Sequence, residues 1–244
     1  MKKIILTIAA LLMLGSHSYA KASTNGHQEE IKIHQGKKMP TRFQAVAPHK
    51  AEILQTGKSK MFCPHCGMTL PMFYKTNYTV KVQGKIKQYC SLHCLAEAMA
   101  QGEKVTNIQV VDTTTLKFID AQKASYVVGS SKAATMSKVS KYAFADKADA
   151  QAFAKKFGGK VMPFKDTLAL VQHSLAKESA MIRKKQKMMA KKGEMMFQKM
   201  CQPVERTFHS VAEAKTYLNT QKPCGELKGK KLQAIGLYLK FRNQ

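Results

Sequence analysis

Cys63-Pro64-His65-Cys66-Gly67-Met68 and Cys90-Ser91-Leu92-His93-Cys94 place four thiols, two imidazoles and a thioether within 32 residues. Soft sulfur donors select Cu(I), Zn(II) or iron–sulfur clusters, so these residue types at this spacing point to a metal or redox centre. Cys63 and Cys66 are near enough to share one ion, and Met68 offers a thioether that needs no deprotonation. With Cys90 and Cys94 they also form a Cys-x2-Cys and Cys-x3-Cys set that suits a closed tetrahedral zinc site. Two further readings are a pair of structural disulfides in an oxidising compartment and a catalytic dithiol. The dithiol reading is weaker, because such a pair normally opens a helix and residues 67–71, ending in Pro71, do not read as one. His65 is expected to tune thiolate basicity or to face solvent. His93, about 100° around a helix from Cys94, shares at most one direction with it. Asp112, Asp120, Asp146, Asp149 and Asp166 fall at turns and helix starts, where capping accounts for them. No phosphate loop, nucleophile elbow or paired-carboxylate motif is present, so the chain is not expected to be an enzyme.

The elements that must position these thiols repeat. Residues 78–82 and 86–89 alternate as strands about a turn at Gly84, residues 91–100 read as a helix, and residues 105–111 as a β-branched strand. Residues 125–128, 142–145, a helix from Asp146 to the Gly158-Gly159 stop, and 160–164 follow in the same order. The expected fold is α+β, two related ββαβ lobes followed by a long Met/Lys-rich helix and a small helical C-terminal module.

The chain start carries Lys2 and Lys3, an apolar stretch over residues 4–14 and Ser18-Tyr19-Ala20, which reads as a signal peptide over residues 1–20. The expected product is periplasmic, exported and soluble once that segment is removed. No cysteine lies near the cleavage point to bear a lipid. Lys and Arg number 41 against 15 Asp and Glu, a formal charge of +26 that falls to about +24 in the mature chain. Aromatic interleaving for base stacking is absent, so an anionic membrane or partner surface is expected rather than nucleic acid. Residues 21–58 read as a flexible leader; its histidines His27, His34 and His49 are too dispersed for a site.

The motif Cys63-Pro64-His65-Cys66-Gly67-Met68, Tyr89-Cys90 with Cys94, Ile119-Asp120-Ala121-Gln122-Lys123-Ala124, Met136 ahead of Tyr142-Ala143-Phe144, and Phe157-Gly158-Gly159 together resemble the NosL family over about residues 60–170. That resemblance implies a periplasmic copper chaperone of nitrous oxide reductase maturation in denitrification, carrying Cu(I) to a copper-accepting enzyme or its maturation complex. It also implies Met136 as a ligand from the second lobe. The expected metal ligands are thus Cys63, Cys66, Met68, Cys90, Cys94 and Met136, with Cu(I) as the ion and Zn as the alternative. Many family members are lipoproteins, which this chain does not match, and the last seventy or so residues lie outside the resemblance.

Those residues have their own pattern. Leu168, Val171, Leu175, Met181, Met188, Met195 and Met196 recur at helical spacing with lysines between them. The expected division is a NosL-like domain over residues 59–170, a helical linker over 171–192, and a helical module over 193–244, with Gly193 breaking the helix. The module weakly resembles the outline of a class I cytochrome c, but no Cys-x2-Cys-His is present to hold haem. Cys201 and Cys224 are expected to form a disulfide, stabilising the module by roughly 3 kcal/mol. This helical end is also a candidate surface for dimerisation.

Overall fold

A computed structural model describes residues 42–242; the signal-peptide segment, His27 and His34 lie outside the described residues. The first lobe is β1 (Tyr78–Val82), β2 (Lys85–Tyr89), α1 (Leu92–Ala100), β3 (Thr106–Val111) and a short β4 (Phe118–Asp120). The second is β5 (Ser125–Val128), β6 (Lys141–Phe144), α2 (Lys147–Phe157) and β7 (Lys160–Pro163). Both sheets are antiparallel, ordered β2-β1-β3-β4 and β6-β5-β7, so the first strand of each lobe lies between the second and third. The duplicated ββαβ arrangement expected from the sequence is present. β4 is an addition: it pairs Asp120 with Gln109 and Phe118 with Val111, and three residues are too few to show a period of two.

Local chemistry accounts for the edges of these elements. The β1–β2 hairpin turns through Gln83 and Gly84, both at positive φ, as a two-residue turn matched to strand twist requires. Ser91 caps α1 by accepting from the Cys94 N–H, and Asp146 caps α2 by accepting from the Ala148 N–H. Phe43, Tyr142, Phe153 and Phe157 stack in a separate aromatic cluster over the second lobe, with the Phe43 and Tyr142 centroids 5.1 Å apart. Gln55 is buried as well, and donates to the carbonyls of Lys60 and Phe62. Phe43, Gln44, which donates to the Ala133 carbonyl, and Gln55 therefore anchor parts of residues 42–58, where a flexible leader is expected from the sequence, while residues 47–50 and 56–58 are exposed.

α3 (Phe164–Met200) begins directly from β7 and runs unbroken through Gly193, which corrects the expected break. Tertiary contact overrides the propensity of glycine here, because Gly193 is where α3 meets the backbone of α5. α4 (Val211–Gln221) and α5 (Gly229–Phe241) complete the chain, and a disulfide joins Cys201 to Cys224. Phe62, the residue before Cys63, packs in the core of α4 and α5 together with Phe197, Leu218 and Ile235. The helical end is thus docked on the stretch that carries the first cysteine pair. No helix of the described residues is long and apolar enough to cross a membrane.

Candidate metal centre

Cys63 and Cys66 sit on a tight loop closed at its base by a bridge between Phe62 and Thr69. The Cys63 N–H donates to the Met68 carbonyl and the Gly67 N–H donates back to the Cys63 carbonyl, both at 2.8 Å. Gly67 has φ +72°, and a Cβ there would lie 2.4 Å from Cγ1 of Val211 in α4. Glycine is required for both reasons, and the reversal it permits turns Cys66 back towards Cys63. Cys90 follows the last residue of β2 and Cys94 lies in the first turn of α1.

The four thiols converge. Their sulfurs all lie within 4.8 Å of one another, with Cys66 to Cys90 at 3.4 Å and Cys90 to Cys94 at 3.7 Å. All four cysteines are free and at most 1% exposed. A regular tetrahedron with metal–sulfur arms of about 2.3 Å has edges of about 3.8 Å, so the sulfurs already occupy the volume that a bound soft cation would define. Burial pushes Cys63, Cys90 and Cys94 up. At Cys63 the hydrogen bonds from Cys66, Cys90 and Cys94 outweigh burial and hold the thiol well below its ordinary value. Cys90 and Cys94 stay well above theirs, by burial and by the hydrogen bonds they give to Cys63 and Cys66. The cluster thus offers one ready thiolate, with further protons to be released as an ion enters.

Met68 and Met136 lie on one side of the loop, facing α3. They line a cavity of about 290 Å³ together with Met181, Met189, Ile182 and Leu237. Met136 has φ +53°, a backbone conformation that an unbranched side chain adopts only when its surroundings impose it.

The histidines take part in a polar network that their spacing alone did not reveal. His65 Nε2 is 2.5 Å from Glu97 Oε2, and His93 Nε2 approaches the same oxygen at 3.4 Å. His93 is 1% exposed, with Nδ1 3.6 Å from Glu178 Oε2 and neither ring nitrogen hydrogen-bonded. Glu178 in turn accepts from the Ser137 hydroxyl and the Lys138 N–H, tying α3 to the loop after Met136. His65 is therefore held on Glu97 rather than turned to solvent. Burial would raise the Glu97 carboxyl, but the His65 and His93 contacts outweigh it and hold it well below the carboxylate range. Burial lowers His65, and the hydrogen bond and charge of Glu97 raise it beyond its ordinary value. Stabilisation from a carboxyl held low is present above its unfolded value and disappears as the pH falls through the folded one. Glu97→Gln is accordingly expected to cost about 1.5 kcal/mol at neutral pH, a fall in Tm of about 3–6 °C, with the difference from the parent closing below pH 4. Thermal melts at both pH values check this.

Glu97 was legible as the residue four beyond His93, on the same helix face. Two other groups were not. Lys215 in α4 is 1% exposed and donates to the Gly67 carbonyl at 2.6 Å, the Gln233 amide oxygen at 2.9 Å and the Thr69 hydroxyl at 3.2 Å. Gln233 in α5 donates to the Cys66 carbonyl at 3.1 Å.

Comparison with known proteins places this centre in context. No curated protein matches the chain. One similar solved structure is the crystal structure of the copper chaperone NosL from Shewanella denitrificans, 26% identical, covering 49% of this chain and 96% of that one with a TM-score of 0.38. The NosL family matches residues 55–170, the segment that runs from just before the first cysteine pair to the start of α3 and holds all four thiols. Over those residues, a little under half of the chain, it is similar to the NosL family.

Proposed function

We propose that this protein is an exported Cu(I)-binding chaperone that passes copper to a periplasmic copper enzyme, by family resemblance nitrous oxide reductase. The observation that carries the proposal is the buried group of four free thiols within 4.8 Å of one another. A soft monovalent cation is held by two or three thiolates and can move between sulfur shells without a fixed coordination number. Cys63, the thiol held low, would take the ion first, and Cys90 and Cys94, held high, would join as their protons leave. A cleft of about 620 Å³ beside the loop, bordered by Pro64, His65, Glu103, His209 and Phe241, offers a route for the ion. Met68 and Met136 are proposed as thioether donors on the cavity side of the loop. Thiol–disulfide catalysis is disfavoured, because the Cys63/Cys66 pair lies on a loop rather than at a helix start and is buried from any disulfide substrate.

One observation favours a second reading. Four sulfurs within 4.8 Å of one another and their full enclosure suit a closed structural zinc site as well as a transfer site. An anaerobic titration of the reduced chain with Cu(I) against a coloured chelator, with Zn(II) as rival, separates the two. One Cu(I) bound tightly and surrendered to a second thiol carrier supports the chaperone. Preference for Zn(II), held without exchange, supports the structural site and refutes copper transfer.

A further inference from the structure

Lys215 is an unusual cation. It is 1% exposed, yet its three hydrogen-bond partners, the Gly67 carbonyl, the Thr69 hydroxyl and the Gln233 amide oxygen, are all neutral. A buried ammonium without an anion is costly and ordinarily acquires a carboxylate partner. Burial brings its pKa down to about 8, against the opposing pull of Cys66, Cys63 and Cys90. The chain also makes room for it: a Cβ on Gly236 of α5 would stand 2.6 Å from the Lys215 Cγ, so a glycine allows the stem to pass. The ammonium further lies 4.3 Å from the centre of the Phe62 ring, beside the first cysteine.

The missing anion is supplied by the metal centre itself. The free cluster carries one thiolate, a charge of −1; four thiolates on one Zn(II) become a unit of charge −2, as do three thiolates on one Cu(I), the remaining protons leaving as the ion enters. The charge grows on loading, next to a lysine fixed on the same loop. We infer that Lys215 is a positioning residue of the thiol centre, a buried counter-charge that the C-terminal module inserts behind the Cys63–Cys66 loop to favour its metal-bound form. Lys215 lies beyond the NosL match, so in this chain a residue outside the matched segment completes the site. Gln233, donating to the Cys66 carbonyl, is the neutral second strut of the same clamp. The inference rests on the thiol cluster being a metal centre.

The test compares the reduced full chain with Lys215→Met, Lys215→Arg and Thr69→Asp in chelator competition with Zn(II) and with Cu(I), fold being checked by circular dichroism. Lys215→Met is expected to bind whichever ion the parent holds about tenfold more weakly, the equivalent of one pKa unit, while Lys215→Arg stays within about threefold. Thr69→Asp leaves the lysine in place but pairs its charge, and is expected to weaken binding like Lys215→Met; it carries the test if Lys215→Met does not fold. Parent-like affinity in a folded Lys215→Met, or in Thr69→Asp, overturns the inference. Equal losses in the Met and Arg variants do so too, because they mark a packing role. A parent chain that binds neither ion refutes the metal centre itself, and that result is distinct from either.

Discussion

Cys63→Ser together with Cys66→Ser is expected to abolish tight metal binding, weakening it at least about a thousandfold, roughly 4 kcal/mol. The reason lies in how the four sulfurs are supplied. Cys90 and Cys94 are held by β2 and α1 and survive the change, but two thiols without a low-pKa partner make a poor site for a soft cation. Cys63 is the thiol held low, through hydrogen bonds from the other three, so its loss also removes the acceptor that organises the rest. Serine keeps the size but not the softness, and a hydroxyl at a position with no exposure adds a desolvation cost of about 1–3 kcal/mol. Thermal melts must therefore accompany the titration. Met136→Ala should behave differently: the thioether lies on the cavity side with Met181 and Met189, and the expected loss is about tenfold or less. A double serine variant that still holds one Cu(I) tightly would move the site away from these cysteines.

How far the site was readable from sequence follows from the range of each interaction. The duplication was legible because each lobe repeats a local period, and Asp146 announced its helix by cap chemistry. The cysteines were legible as two short motifs. That β2, α1 and the first loop bring them to one point is a consequence of the β1–β2 register, in which Tyr78 faces Tyr89 just before Cys90. His65 and His93 looked unremarkable because their shared partner is defined by how the loop lies on α1. Lys215 and Gln233 lie 148 and 167 residues from the loop atoms they hold. Nothing in the local pattern of α4 or α5 marks them: a lysine on an amphipathic helix ordinarily points to water, and only the tertiary packing buries this one.

Gly193→Ala is expected to destabilise the protein by about 2–4 kcal/mol and to lower Tm by about 5–10 °C, against the usual sign for this change. In a solvent-facing helix interior alanine gains about 1 kcal/mol over glycine, which is why Gly193 reads as a break in α3. Here an added Cβ would lie 2.0 Å from the Ala234 carbonyl oxygen and 2.4 Å from its carbonyl carbon. Those are backbone atoms of α5, so no rotamer change relieves the overlap, and α3 and α5 must move apart as rigid bodies. The displaced residue is the neighbour of Gln233, whose amide holds the Cys66 carbonyl, and Ile235 beyond it is fully buried in the core that also contains Phe62. A separation of the two helices therefore reaches the metal loop. The variant should lose metal affinity together with stability, whereas Lys191→Ala, an exposed neighbour on α3, should change neither. Calorimetric melts and the Cu(I) competition read the two quantities separately. An unchanged Tm would show that the helices can separate at no cost, and a lowered Tm with parent-like affinity would show that the loop does not depend on how α5 is seated.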